Sequence, residues 1–246
     1  MPSTPKPELR PELLDNPDLS LDETERALGD LERANRWLLG IGASIRTLLP
    51  RVVAGPARQH VIDLGFGTGQ VSRILRHRAR NRGIELRVIG VDRKLSHLLT
   101  ARARDADHVA VVACATALPF RSSSTDWVYS NLLFHHFSAE ANAGVLAEMI
   151  RVARRATVIV DLRRSRLGSV LAGILLPLLG LGPVAVYDGK LSMRQAWSLD
   201  EVRDLLEPAT PIEELRCRFP VRFSLVVSCF PEDRARPAAA RTPRLP

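Results

Sequence analysis

The stretch Val61-Ile-Asp-Leu-Gly65-Phe-Gly67-Thr-Gly69-Gln-Val71-Ser-Arg-Ile-Leu75 has the pattern of a strand, a glycine turn and the opening of a helix. Val61, Ile62 and Leu64 form a short apolar run with β-branched residues; Gly65, Gly67 and Gly69 interrupt it, and Val71, Ile74 and Leu75 resume at helical spacing. Glycine allows φ > 0 and lets the backbone approach a ligand, while the helix that follows aims free N–H groups and its positive dipole end at the same place. Such a turn suits a bound nucleoside. The G-x-G-x-G run departs from the G-x-G-x-x-G of dinucleotide folds, and an acid, Asp63, stands two residues before the first glycine. A purely structural turn fits the same residues, so the rest of the chain must decide.

Downstream, Gly83 ends the first helix and Arg87-Val-Ile-Gly-Val-Asp92 predicts a second buried strand closing on an acid. A carboxylate at that strand tip can accept both ribose hydroxyls of a nucleoside lying over the first turn, or cap the helix from Leu95 to about Arg104. His108–Ala113 predicts a third strand, followed by Cys114-Ala-Thr-Ala-Leu-Pro-Phe120. Asp126–Asn131 predicts a fourth, then an apolar turn with His135 and His136. A helix over Ala139–Ala153 and a fifth strand, Thr157–Asp161, come next. In an open α/β sheet the strand C-termini form the ligand crevice, which puts the histidine pair where a second substrate would lie.

The flanks are plainer. Pro2, Pro5, Pro7, Pro11 and Pro17 mark an irregular lead-in, and Ser20 with Glu23 makes a capping box for a helix through about Leu39, with a shorter helix over Ile41–Leu49. Residues 167–186 carry no charged side chain, but Gly168, Gly173, Pro177, Gly180, Gly182 and Pro183 break the run, which predicts an apolar cover and no span. Ser198 and Glu201 repeat the capping box, and Ile212–Phe219 and Arg222–Phe230 read as two strands joined at Pro220.

The 246 residues suit one α/β domain. The net charge of +8 comes almost wholly from arginine, because lysine occurs only at positions 6, 94 and 190. Its densest cluster, Arg73, Arg76, His77, Arg78, Arg80 and Arg82, has no interleaved aromatics, so a stacking platform for nucleic acid is not indicated. Cys114, Cys217 and Cys229 form neither a disulfide framework nor a zinc pattern, so no metal is expected. The N-terminus has no signal-peptide pattern, which sets a cytoplasmic expectation.

Asp63-Leu-Gly65-Phe-Gly67-Thr-Gly69, Asp92 and Leu118-Pro-Phe120 together resemble class I S-adenosylmethionine-dependent methyltransferases of small-molecule type, near the ubiquinone and menaquinone C-methyltransferases and the type 11 methyltransferase domain. The resemblance covers roughly residues 55–230. It implies a Rossmann-like, doubly wound, seven-stranded sheet, mostly parallel with a C-terminal antiparallel strand, and helices on both faces. With the proline-rich ends read as a disordered lead-in (1–19) and a disordered tail (231–246), one methyltransferase domain would fill residues 20–230. Cap helices would fill residues 20–50, with Asn35 and Trp37 at the cofactor, and an apolar acceptor-side insertion residues 167–197. The cofactor residues it implies are Asp63, Gly65, Phe66, Gly67, Gly69, Asp92, Arg93, Cys114, Ala115 and Asn131. Cys114 stands where the family has an acid for the adenine amino group, and Arg154-Arg155-Ala156 where it has a P-G-G turn.

A neutral-pKa histidine, His135 or His136, would serve as general base if the acceptor must lose a proton. The acceptor implied is small, lipophilic and aromatic, quinone-like or polyketide-like, methylated at oxygen or carbon, with a peripheral membrane contact through 167–186. Two alternatives stay open: a nucleic-acid methyltransferase, favoured by charge but with Asn131-Leu-Leu-Phe134 in place of [DN]-P-P-[YF], and a non-catalytic nucleoside-binding or scaffold protein, motivated by Cys114.

Overall fold

The computed structural model describes residues 9–16, 18–37, 40–206, 210–219 and 221–229, without the side chains of Trp37 and Leu167. Two helices, α1 (Leu21–Trp37) and α2 (Gly40–Val53), precede β1 (Arg58–Leu64) and α3 (Gln70–Arg80). Then come β2 (Glu85–Asp92), α4 (Leu95–Arg104), β3 (Val109–Val112), β4 (Thr125–Asn131), α5 (Ala139–Val152) and β5 (Ala153–Leu162). The chain continues through α6 (Arg166–Leu178), α7 (Pro183–Gln195), α8 (Leu199–Leu205), β6 (Ile212–Arg218) and β7 (Arg222–Ser228).

The strands form a seven-stranded sheet in the order β3-β2-β1-β4-β5-β7-β6. All neighbours pair in parallel up to β5, and β7 runs antiparallel to both β5 and β6. Strand order reverses at β1, which pairs with β2 on one side and β4 on the other, so the C-terminal ends Leu64, Asp92 and Asn131 open one crevice at the switch point. On one face Ile62, Val128, Ile159 and Leu225 pack under α5 and α8; on the other Val61, Trp127, Val158 and Val226 pack under α2 and α3. This doubly wound sandwich is the expected fold class.

Helix starts follow local chemistry. Both capping boxes form: the Ser20 N–H donates to Glu23 Oε2 at 3.0 Å, and the Ser198 N–H donates to Glu201 Oε2 at 2.8 Å. Elsewhere burial overrides propensity. The second helix runs on through Pro50 to Val53, beyond its expected end at Leu49, because Leu48, Leu49 and Val52 fill the core under it. Arg154-Arg155-Ala156 is strand, not turn: β5 begins at Ala153, directly after α5, and Arg154 donates to the carbonyls of Ser123 and Ser124.

The lead-in needs correction over residues 9–16. They hold a 3-10 turn, Leu13–Asp15, whose Leu13 and Leu14 N–H groups donate to the two Asp188 carboxylate oxygens at 2.7 and 2.9 Å, and Leu14 is buried. A long-range anchor of that kind leaves no local mark. Pro2, Pro5, Pro7, Pro17, the Pro220 turn, Phe230 and the tail from Pro231 lie outside the described residues, as do Leu38 and Leu39.

Residues 167–186 are divided between α6 and α7 by a break at Gly180, whose φ is +63°. Among the described residues no helix is long and apolar enough to cross a membrane. Leu225, 1% exposed in the interior strand β7, gives the fold a test. Leu225→Ala is expected to cost about 2–5 kcal/mol of unfolding free energy by removing a buried side chain that cannot be replaced by collapse. A stability loss in urea of under about 0.5 kcal/mol, the scatter of surface changes, would put Leu225 outside the core.

Candidate active site

The glycine turn is built for close approach. Gly65 and Gly67 have φ of +74° and +52°, and a Cβ placed on Gly67 would meet nothing within 4 Å, so the space over this turn is free for a ligand. Gly69 differs from its expected role. It does not reach the cavity; it precedes α3 with φ +68°, its N–H donates to the Phe66 carbonyl at 2.8 Å, and a side chain there would strike the Phe66 and His108 rings. Gly90 is needed for the same reason, since Phe66 lies against it.

Asp92 ends β2 facing the turn. Its Oδ2 accepts the Gly67 N–H at 2.9 Å and its Oδ1 the Lys94 N–H at 3.0 Å, with His97 Nδ1 3.4 Å from Oδ2. Burial alone would raise this carboxyl, but His97 and the two backbone N–H groups outweigh it and hold Asp92 ionised below the ordinary range. The helix-cap reading fails: α4 starts at Leu95, with Lys94 at the cap position.

Asp63, beneath the turn, accepts from Ser72 Oγ at 2.6 Å. Burial, with Asp92 nearby, pushes its carboxyl up to about 7. Asn131 Oδ1 accepts from Ser44 Oγ at 2.9 Å, which ties the end of β4 to α2. Cys114 is exposed, its Sγ 3.1 Å from Thr116 Oγ1, and Arg93 pairs with Asp15 at 2.8 Å.

The segment after β4 is held by one acid. Leu132 takes a φ of +58°, rare for a side chain branched at Cγ, and the chain then turns so that the Leu133 and Phe134 N–H groups donate to Asp161 Oδ2 at 3.0 and 2.7 Å. The other oxygen, Asp161 Oδ1, lies 2.6 Å from His135 Nδ1. Burial opposes charge on His135, but Asp161 and then Glu12 outweigh it and raise the imidazole above its ordinary value. His135 Nε2 is 3.8 Å from Glu12 Oε1. Burial, and then the charge of His135, hold His136 below the ordinary value.

Glu12, Asp161 and Arg222 were not singled out from the sequence as site residues. Asp161 was legible only as a strand end. Glu12 sits in the lead-in, where burial pushes it up to about 7 and Ser192 Oγ donates to it. Glu12, His135 and His136 have their ligand-type atoms within 4.8 Å of one another. The two rings lie 4.4 Å apart and 31° from parallel, and His135 Nδ1 is already engaged by Asp161. The cluster suits proton chemistry better.

One cavity of about 420 Å³ joins these parts. It is lined by Asp63, Gly65, Phe66, Gly67, Asp92, Arg93, Cys114, Ala115, Asn131, His135 and His136, and on its far side by Leu171, Ala172, Leu175, Leu176 and Met193 of α6 and α7. Helix α1 covers the turn: Glu32 accepts from Thr68 Oγ1 and pairs with Arg73 and Arg104. Asn35 lines the cavity as expected; the Trp37 side chain lies outside the described residues.

Residues 61–156 match the family model for a methyltransferase domain. The match runs from β1 to the start of β5 and takes in the glycine turn and Asp92. Solved structures agree in fold. A SAM-dependent methyltransferase from Aquifex aeolicus superposes with a TM-score of 0.58 at 16% identity, over 86% of this chain and 100% of that one. The plantazolicin methyltransferase, solved in complex with a triazolic desmethylPZN analog and SAH, gives 0.56 at 13% identity over 85% and 100%. Magnesium protoporphyrin IX methyltransferase from Synechocystis, with bound SAH, gives 0.52 at 16% identity over 81% and 94%. A search of the curated proteins gave no match. The open glycine cradle beside an ionised Asp92 fits a nucleoside cofactor such as S-adenosylmethionine.

Proposed function

We propose that the protein methylates an oxygen or activated carbon of a small, lipophilic acceptor. The observation that carries this reading is the single cavity running from the glycine turn to an apolar wall of α6 and α7, with His135 between them. Asp92 would hold the ribose hydroxyls, Gly65 and Gly67 would leave room for the nucleoside, and Phe66, Arg93, Cys114 and Ala115 would flank its base. Asp63 and Asn131 would face the methionine end. When bound, S-adenosylmethionine supplies a methyl group on a sulfonium centre.

The chain's own work is to orient and to move one proton. Asp161 fixes the His135 ring through Nδ1, leaving Nε2 toward the cavity to take a proton from the acceptor hydroxyl or carbon acid. His136, held neutral, cannot match it as a base. Leu171, Leu175, Leu176 and Met193 exclude water from the acceptor side.

Asp63 gives this reading a pH test. Its carboxyl ionises near 7 in the free protein, and an ammonium group beside it favours the ionised form. Cofactor binding below pH 7 is therefore expected to release a proton, with affinity about tenfold weaker at pH 6 than at pH 8 for a full shift of this group. Calorimetry in buffers of differing ionisation enthalpy reads the proton directly. Absence of any proton release would take Asp63 away from the methionine end.

A nucleic-acid acceptor is less well supported, because Arg73 and Arg76 of the basic cluster are spent on Glu32 and Asp105. The apolar helices suggest a membrane contact. Val170, Ile174 and Leu178 form an exposed stripe on α6, whereas Leu175 turns into the cavity. Ile174→Ser with Leu178→Ser is expected to reduce cosedimentation with anionic vesicles at least roughly fivefold, through the lost burial of two side chains. Leu175→Ser should leave cosedimentation unchanged and impair turnover. Equal sedimentation of the double variant and the wild type would remove the membrane contact.

A further inference from the structure

Arg222 opens β7 and lines the cavity, with 4% of the residue exposed. Nη2 donates to Asn35 Oδ1 at 2.8 Å; Nε and Nη1 have no hydrogen-bond partner among the described residues. No described carboxylate lies within ion-pair distance of it. The nearby acid, Asp161, is already engaged by the N–H groups of Leu133, Phe134 and Leu162 and by His135. Against the same guanidinium packs the start of α2, a helix of 14 residues, so closely that a Cβ on Gly40 would collide with Nη2. A buried cation, backed by the start of α2, therefore lines the cavity with no carboxylate in ion-pair distance among the described residues.

Leaving a guanidinium buried and unpaired is strongly unfavourable unless an anion completes it. Its donors form a rigid fork that matches the two oxygens of a carboxylate. We propose that Arg222 is the seat of a ligand carboxylate. Two bound molecules could bring it: S-adenosylmethionine at its methionine end, which rests on the methyl-transfer reading, or an acceptor that carries an acid on an apolar body, held between this seat and the wall of α6 and α7. Either way the site selects an anionic ligand end, a requirement that the apolar wall alone would not impose.

Calorimetry on the full chain separates these cases. The wild type, Arg222→Met and Arg222→Lys are titrated with S-adenosylmethionine, with its decarboxylated analogue, with dodecanoate and with dodecanol. If the cofactor brings the carboxylate, Arg222→Met weakens S-adenosylmethionine at least thirtyfold and leaves the decarboxylated analogue unchanged. If the acceptor brings it, S-adenosylmethionine is unaffected, and dodecanoate loses at least thirtyfold while dodecanol does not. Arg222→Lys, which keeps the charge and loses the fork, falls between in either case and serves if the Met variant does not fold.

The ligand-free Met variant is also expected to melt at or above the wild-type temperature, since it sheds an unpaired buried charge. Equal losses for acids and their neutral analogues, or no loss for either acid, overturn the assignment. So does a wild type that binds neither acid. A wild type that binds dodecanoate through Arg222 but not S-adenosylmethionine leaves the carboxylate seat standing and removes the methyl-transfer reading.

Discussion

Replacing Asp92 with alanine is expected to abolish measurable binding of S-adenosylmethionine. Hydrogen bonds to an ionised partner contribute roughly 1.5–3 kcal/mol each, so losing two ribose contacts costs about a hundredfold or more in affinity. The geometry adds a second loss. Asp92 also accepts the Gly67 and Lys94 N–H groups, so the alanine variant frees the glycine turn that should receive the nucleoside. Asp92→Asn keeps the shape but offers one acceptor oxygen where two are in use, and it should bind more weakly than wild type and more tightly than the alanine variant. Isothermal titration checks the series, with far-ultraviolet circular dichroism confirming the fold. Unchanged affinity in Asp92→Ala would take the ribose away from this strand end.

The second large effect concerns His135. His135→Ala is expected to lower kcat by roughly 10²–10⁴-fold, the usual contribution of a positioned base, with little change in cofactor affinity. His136→Ala should cost far less, because burial and the charge of His135 make that ring a weak base and Glu12, 3.9 Å from its Nε2, is beyond hydrogen-bond reach. The pH profile carries the same assignment. A raised imidazole stays protonated, and so idle as a base, until the pH passes its folded value; activity should therefore fall on the acid side through a midpoint above the ordinary 6.5. Initial rates with any accepted substrate, taken from pH 5.5 to 9, would check this. An acid limb that survives unchanged in His135→Ala would show that another group takes the proton.

Much of the fold could be read from local pattern, because its causes are local. The β1 run, the glycine turn and the start of α3 occupy consecutive residues, and both capping boxes are written within four positions. Boundaries failed where burial decided them, as in the extension of α2 through Pro50 and the early start of β5. The site divides along the same line. Residues on the strand ends, such as Asp92 and Asn131, were legible from the parallel-sheet pattern. Glu12 and Arg222 were not, because their partners Ser192 and Asn35 stand 180 and 187 positions away in the chain. Gly69 was misread for the opposite reason: its motif position suggested a ligand, and only the packing of Phe66 and His108 shows what it does.

Strand β7 lies between β5 and β6 although it comes last in the chain among the described residues. A ribosome making this chain therefore presents β5 with a bare edge until residues 222–228 have cleared the exit tunnel, and an unfilled edge of that kind invites pairing with other chains. Folding cannot finish from the N-terminus onward in this protein, and nascent chains stalled before Arg222 should need chaperones more than released ones do.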